Sequence, residues 1–237
     1  MGLYLAALLF GSVASSTAAT IEGIAGWEGD AFDDGYGFVT AGLIGRDSSA
    51  VSIPVRVTGS YLYYRYHDVL GDTRVQAPGA SALAGMRRRG TSGSVSLTAG
   101  GEVRRERREP VSGNGIVGVV WRGGLVAQAE GNLSLGRFQP TALLVYSGAS
   151  RYWYGRGSLR WQLSNRSWAG PITWFAGVEG VGQGNADADA VQAGAAVECA
   201  LVRSHLSLSL HGGAKRLSTG GTRREGGYVG VGLYRAF

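Results

Sequence analysis

From Ile21 onward the chain divides into segments in which every second residue is apolar, separated by polar or glycine-rich turns. The pattern is clearest at the end, Gly226 to Phe237, which reads GGYVGVGLYRAF. There Val229, Val231, Leu233 and Phe237 share one parity, and Tyr228, Gly230, Gly232, Tyr234 and Ala236 share the other. A period of two marks a strand with unlike faces. Ile21 to Glu28 and Tyr36 to Gly45 flank the acidic stretch GDAFDDG, after which Val51, Ile53, Val55 and Val57 alternate with Ser52, Arg56, Thr58 and Ser60. Val95, Leu97, Ala99 and Val103 face Ser94, Ser96, Thr98, Glu102 and Arg104, and Val117, Val119, Trp121, Leu125 and Ala127 oppose Arg122, Gln128 and Glu130. Trp153, Leu159, Trp161 and Leu163 oppose Tyr152, Tyr154, Arg156, Ser158 and Arg160; Val191, Val197 and Cys199 oppose Gln192 and Glu198; Leu206, Leu208 and Leu210 oppose His211 and Lys215. The spacing predicts about twelve strands of roughly ten residues, the length that a tilted membrane-crossing strand requires.

An alternating last strand would be a liability at an open edge, because its unpaired backbone groups invite other strands. Pairing it with the first strand removes the edge, and in lipid only helices and closed barrels satisfy every backbone group. The fold class predicted is all-β: an antiparallel transmembrane up-and-down β-barrel. A soluble barrel would fill its interior with the apolar parity. Here the other parity mixes Ser, Gly and Tyr with both signs of charge, which fits a hydrated lumen. Arg56, Glu102, Arg104, Arg122, Glu130, Arg156, Arg160, Glu179, Glu198 and Lys215 are then expected to point inward, with opposite charges paired across a narrow barrel. Aromatic residues at Tyr61 to Tyr66, Tyr152 to Tyr154 and Trp168 to Phe175 read as interfacial girdles.

Composition sharpens this picture. Forty-one glycines against five prolines is extreme for a soluble enzyme, whereas in barrels glycine permits bends and close strand approach. The net charge of +6 rests on 22 arginines and one lysine, which suits phosphate-rich partners such as lipopolysaccharide or nucleic acid without choosing between them. Leu3 to Phe10 is an apolar run followed by small residues ending at Thr17-Ala18-Ala19. It predicts a secretory signal over residues 1–19 cleaved after Ala18 or Ala19, although it lacks the usual positive charge before the apolar run, and leaves residues 20–237 as one barrel domain in the bacterial outer membrane. With both ends in the periplasm, the connections at Gly29 to Gly35, His67 to Thr73, Arg105 to Gly113, Gly184 to Asp189 and Thr219 to Gly227 are expected to be outer loops, longer and more charged than the inner turns. Arg104, Arg105, Arg107, Arg108, Arg223 and Arg224 are candidates there for bidentate contacts to lipid phosphates. Their local alternative is pairing with Glu106, Glu109 and Glu225.

Chemistry-bearing motifs are sparse. Gly113, Gly115 and Gly118 form a GxGxxG, but it precedes a strand where a dinucleotide site needs a helix N-terminus. Asp187 and Asp189 lack the closing Glu of a calcium loop. Cys199 stands alone, His67, His205 and His211 are too scattered for a metal site, and nothing calls for a cofactor. Arg87, Arg88 and Arg89 could meet acidic headgroups, yet no aromatic-rich nucleic-acid module surrounds them. His211 with Ser207 and Ser209 is the one candidate hydrolytic pair, without a visible third orienting residue or oxyanion hole, so no catalytic residue is assigned.

Gly26 to Asp30 (GWEGD), Ala77-Pro78-Gly79, Tyr152 to Gly157 (YWYGRG), Ala169-Gly170-Pro171, Gly177 to Gly180 (GVEG), Gln183-Gly184-Asn185, Gly226-Gly227-Tyr228 and the final Phe237 occur in an order that resembles the cellulose biosynthesis protein family BcsS. The resemblance implies a non-enzymatic outer-membrane barrel tied to cellulose or another exopolysaccharide, its assembly or export, with the cellulose-synthesis machinery and outer-membrane lipid as partners. It carries over no active residues, and the arginines at 87–89 and 104–108 exceed what it leads one to expect. Should the barrel carry a glucan, Tyr64, Tyr66, Tyr152 and Tyr154 would stack on sugar faces while Arg156, Arg160 and Glu179 bond hydroxyls. A barrel filled by its own side chains would instead be an anchor. A general small-solute pore and a lipid-modifying barrel enzyme remain the alternatives.

Overall fold

The structure is a computed structural model, and it describes residues 19–45, 50–68, 71–111, 118–164, 172–185, 188–219 and 222–237. Its strands are β1 (Ala19–Asp30), β2 (Gly35–Gly45), the two-residue β3 (Val51–Ser52), β4 (Pro54–Asp68), β5 (Gly71–Gly90), β6 (Gly93–Pro110), β7 (Gly118–Leu133), β8 (Phe138–Ser147), β9 (Tyr152–Ser164), β10 (Ile172–Gly184), β11 (Ala188–Leu201), β12 (Leu206–Thr219) and β13 (Thr222–Ala236). Each long strand pairs antiparallel with its neighbours in sequence, β5 pairs β6, and β1 pairs β13, so twelve strands close into an up-and-down barrel. The predicted fold is borne out. Closure reaches the last residue: Phe237 donates its N–H to the Ile21 carbonyl at 2.8 Å. Among the described residues no helix is long and apolar enough to cross a membrane, and the predicted leader lies outside those residues except for Ala19, which opens β1.

Parity decides which side chains face out. Leu97, Leu125, Val178 and Val191 are 61%, 78%, 61% and 62% exposed, while Glu22, Arg56 and Gln192 are 1%, 4% and 1% exposed. Charge inside and bulky apolar residues outside invert the plan of a soluble protein, and an apolar surface of this extent belongs against lipid. Inward glycines make room for large inward neighbours. A Cβ at Gly42 would lie 2.6 Å from Glu22 Cγ, and one at Gly230 would lie 2.3 Å from His211 Nε2.

Aromatic residues of the outward parity form two belts. Trp27, Tyr61, Trp121, Tyr146 and Trp153 stand toward the end away from the termini; Phe138, Trp161 and Trp174 stand near the terminus end, with Phe138 and Trp161 stacked at 5.6 Å. Trp153 and Trp161 of β9 are separated by roughly 26 Å of strand, comparable with the apolar band of a membrane barrel. The predicted girdle at 152–154 needs correction: only Trp153 is outward, because Tyr152 and Tyr154 share the inward parity of Arg156. Trp168 lies outside the described residues.

The expected charged outer loops also need correction. Turns do fall near those positions, but β5 and β6 run for 20 and 18 residues, and β6 carries Arg104 to Arg108 on strand. An alternating backbone splits such a run, so Arg104, Glu106 and Arg108 face in while Arg105 and Arg107 face out. On β13 Arg223 is outward, whereas Arg224 lies 4.7 Å over the Phe32 ring.

Candidate functional site

The lumen is where the chain spends its polar chemistry, and its two ends differ. Near the terminus end, inward parity brings together Glu22 of β1, Arg56 of β4, Arg87 of β5 and Glu130 of β7. Arg56 Nε donates to Glu22 Oε1 at 2.7 Å, and its Nη1 and Nη2 donate to the two Glu130 oxygens at 3.0 and 2.8 Å. Arg87 Nη2 donates to Glu130 at 2.9 Å and lies 3.9 Å from Glu22. The planar guanidinium is suited to gripping one carboxylate with its fork and a second with Nε. Arg56 reaches Glu22 on β1 and Glu130 on β7, neither of which pairs with β4 in the sheet, so the bridge crosses part of the bore. Arg160 pairs with Glu198 farther round the wall.

Midway up, Glu179 of β10 accepts from Tyr228 at 2.8 Å and pairs with Arg156. Glu28 of β1 accepts from Gln192 Nε2 at 2.8 Å, and His211 Nε2 stands 3.5 Å from its other oxygen without a well-formed hydrogen bond. Toward the far end Lys215 pairs with Asp30, and Glu102 accepts from Ser147 and from the Ala149 N–H. Aromatic rings converge at this level. Tyr36 and Phe38 of β2 stack at 5.8 Å, and Tyr36 comes within electrostatic reach of Tyr152 and Tyr154 on β9, six strand steps away in either direction round the barrel. Tyr152 donates to Gln183 at 2.6 Å, which fixes its ring, while Tyr36 remains 40% exposed to the bore.

The β1–β2 connection folds over this mouth. Phe32 is buried, Asp33 takes the left-handed φ of 66°, and Asp30 Oδ1 accepts the Phe32 and Asp34 N–H groups at 2.8 and 3.1 Å. Burial, with the Asp30 carboxylate adding to it, pushes the Asp34 carboxyl up to about 6 despite the Arg65 N–H that it accepts at 3.0 Å.

Of the residues predicted to line a sugar path, Tyr152, Tyr154, Arg156, Arg160 and Glu179 all lie on inward parity, and Arg156 meets Glu179 directly. Arg160 is apart from them, toward the terminus end with Glu198. Tyr64 occupies an inward register of β4 beyond the level of Tyr36, and the Tyr66 side chain lies outside what the structure describes. Tyr36, Phe38, Glu28 and Gln192 were not singled out as a site. The signal for them was parity alone, since pairing around the barrel, not sequence spacing, sets their height. The Ser–His pair does not form: Ser209 Oγ donates to the Gly232 carbonyl at 3.4 Å, while His211 turns toward Glu28. No cluster of metal-ligating side chains occurs among the described residues.

The model of the family described as cellulose biosynthesis protein BcsS matches residues 35–237. The chain belongs to that family. The resemblance read from the ordered motifs is thus borne out, with the Gly26 to Asp30 motif lying before the matched span. Among solved structures, the BcsS-family chain is similar to the beta domain of the Bordetella autotransporter BrkA, with TM-score 0.53 and 15% identity over 92% of this chain and 98% of that one. It is also similar to the translocator domain of the autotransporter NalP from Neisseria meningitidis, with TM-score 0.53 and 12% identity over 92% and 88%. At these identities the likeness is one of fold. A search of curated proteins returns no match.

Proposed function

We propose that this BcsS-family barrel is a non-enzymatic outer-membrane component of cellulose production that anchors the machinery and holds glucan at its outer mouth, its bore being bridged below by its own ion pairs. The observation that carries the reading is the Glu22–Arg56–Glu130–Arg87 bridge: the Arg56 and Glu22 side chains are 5% and 2% exposed. Residues lining an open water-filled pore stay wet, and a fully paired charge network is held in place by the cost of leaving any member unpaired. Above that floor, Tyr36, Phe38, Tyr152 and Tyr154 offer ring faces while the partly exposed Glu28 and Arg156 offer hydroxyl partners, held in place by the buried Gln192 and Glu179, the combination that binds neutral sugars. The BcsS match, to a family described as a cellulose biosynthesis protein, supports a β-linked glucan as the polymer. The lumen lacks an assembled nucleophile and base among the described residues, which favours binding over chemistry.

The test is calorimetric titration of the barrel in lipid nanodiscs with cellohexaose, with maltohexaose as control. We expect saturable binding of the β-linked oligomer, weakened at least about tenfold by replacing Tyr36 and Tyr152 with alanine, given the worth of two aromatic stacking contacts. Equal binding of both sugars, or none, would overturn the glucan-holding role.

A further inference from the structure

On the outward parity of β6 the residues change character abruptly. Val95, Leu97, Ala99 and Val103 are succeeded by Arg105 and Arg107. The neighbouring strands change at the same height. In the sheet register Arg105 faces Trp121 of β7, Tyr61 of β4 faces Pro78 of β5, and one step farther from the termini Arg107 lies beside Gln76. One step beyond, Arg65 of β4 sits directly across from Arg74 of β5. The arginines therefore form a ladder on β4, β5 and β6 that begins level with Trp121 and rises above the Tyr61–Trp121 belt.

Like charges placed directly opposite on neighbouring strands destabilise a sheet, and among the described residues this ladder is only half neutralised. Asp33 pairs with Arg65 at 2.6 Å and Glu109 with Arg107 at 2.5 Å. Arg74 has the Tyr63 ring at 5.7 Å. No carboxylate within salt-bridge distance accompanies Arg74 or Arg105 among the described residues. The rim on β12 and β13 is built differently: outward Arg216 is matched by Glu225 at 2.8 Å, and Arg223 alone adds to it. An arginine excess on one sector, at the height where the apolar band ends in aromatic residues, is complementary to a layer of phosphates packed against the wall. The end bearing it is opposite both chain termini, which in a barrel of this kind faces the outer leaflet.

We propose that the outward ladder of Arg65, Arg74, Arg105 and Arg107 docks the phosphates of lipopolysaccharide, seating β4–β6 against the outer leaflet in a fixed orientation. The guanidinium forks provide bidentate contacts to phosphate oxygens, and the belt below accepts the acyl chains. This inference does not depend on what the lumen binds.

The experiment is native mass spectrometry of the detergent-solubilised barrel with bisphosphorylated lipid A, with dephosphorylated lipid A, and with the variant R65Q/R74Q/R105Q/R107Q, checked for folding by heat-modifiable migration. The expected result is that wild-type protein retains bisphosphorylated lipid A, releases the dephosphorylated form, and loses at least about tenfold in affinity in the variant, whereas R216Q binds as wild type does. Equal retention of the two lipids, or undiminished binding by the folded variant, would overturn the proposal. Should the variant fail to fold, the comparison of the two lipids on wild-type protein decides alone.

Discussion

Arg56 and Arg216 each grip a glutamate, yet the two pairs do opposite things. Arg56 lies inside with Glu22 and Glu130, its side chain 5% exposed; Arg216 lies outside with Glu225, the two side chains 59% and 69% exposed. Arg56 and Glu22 have exchanged water almost wholly for partners, while Glu130 keeps a quarter of its side-chain surface exposed and is gripped by two arginines. The outer pair keeps its water and is screened by salt. Residue type does not distinguish these arginines. Strand parity and position along the bore do, and together they separate an inner ion-pair network linking β1, β4, β5 and β7 from a rim that meets its surroundings.

Breaking the inner set should have the largest effect. Arg56→Ala leaves the two carboxylates of Glu22 and Glu130 with Arg87 as their one remaining cation, 3.9 Å from the buried Glu22, and we expect a loss of about 3–5 kcal/mol of unfolding free energy, measured by guanidinium titration of protein refolded into vesicles. Next comes Tyr228→Phe, which removes one hydrogen bond to the buried Glu179 carboxylate. Its expected cost is about 1.5–3 kcal/mol in the same titration. A smaller effect appears at the far mouth as a pH slope. Because the Asp34 carboxyl titrates near 6 in the folded protein instead of at its ordinary 3.8, the folded state binds the proton more tightly than the unfolded chain. That contribution is complete below about pH 4 and is lost as the pH rises through about 6. Wild-type protein should therefore melt at a lower temperature at pH 7.5 than at pH 4.5 relative to Asp34→Asn, which retains the acceptor for the Arg65 N–H and removes the slope. Parallel melting of the two proteins across that range would contradict the assignment. Arg216→Ala should be smallest, within about 1 kcal/mol, and still smaller at high salt.

Much of this organisation was legible in the sequence because alternation reports directly on which side of a barrel wall a residue occupies. Arg56 with Glu130, Arg156 with Glu179 and Arg160 with Glu198 were expected inside as opposite charges, and they are partners. Alternation carries no information on height along the bore or on which strands face each other across it, since both depend on the stagger at which the sheet closes. For that reason Tyr36 standing across the bore from Tyr152, and Gln192 meeting Glu28, could not be read in advance. The boundaries of β6 and β13 were misjudged for a different reason: a run such as Arg104 to Arg108 resembles a solvated loop in composition, while in the fold it continues the strand past the membrane and sends alternate arginines to opposite faces.

The claim on which the account rests is that the bore is bridged by its own charges, and single-channel conductance in planar bilayers tests it most directly. Folded wild-type protein should give no steady current, with or without cellohexaose, and the variant R56A/E130A, which removes the bridge and leaves Glu22 beside Arg87, should admit current. A steady wild-type current that cellohexaose blocks would contradict the account and make the barrel a glucan conduit.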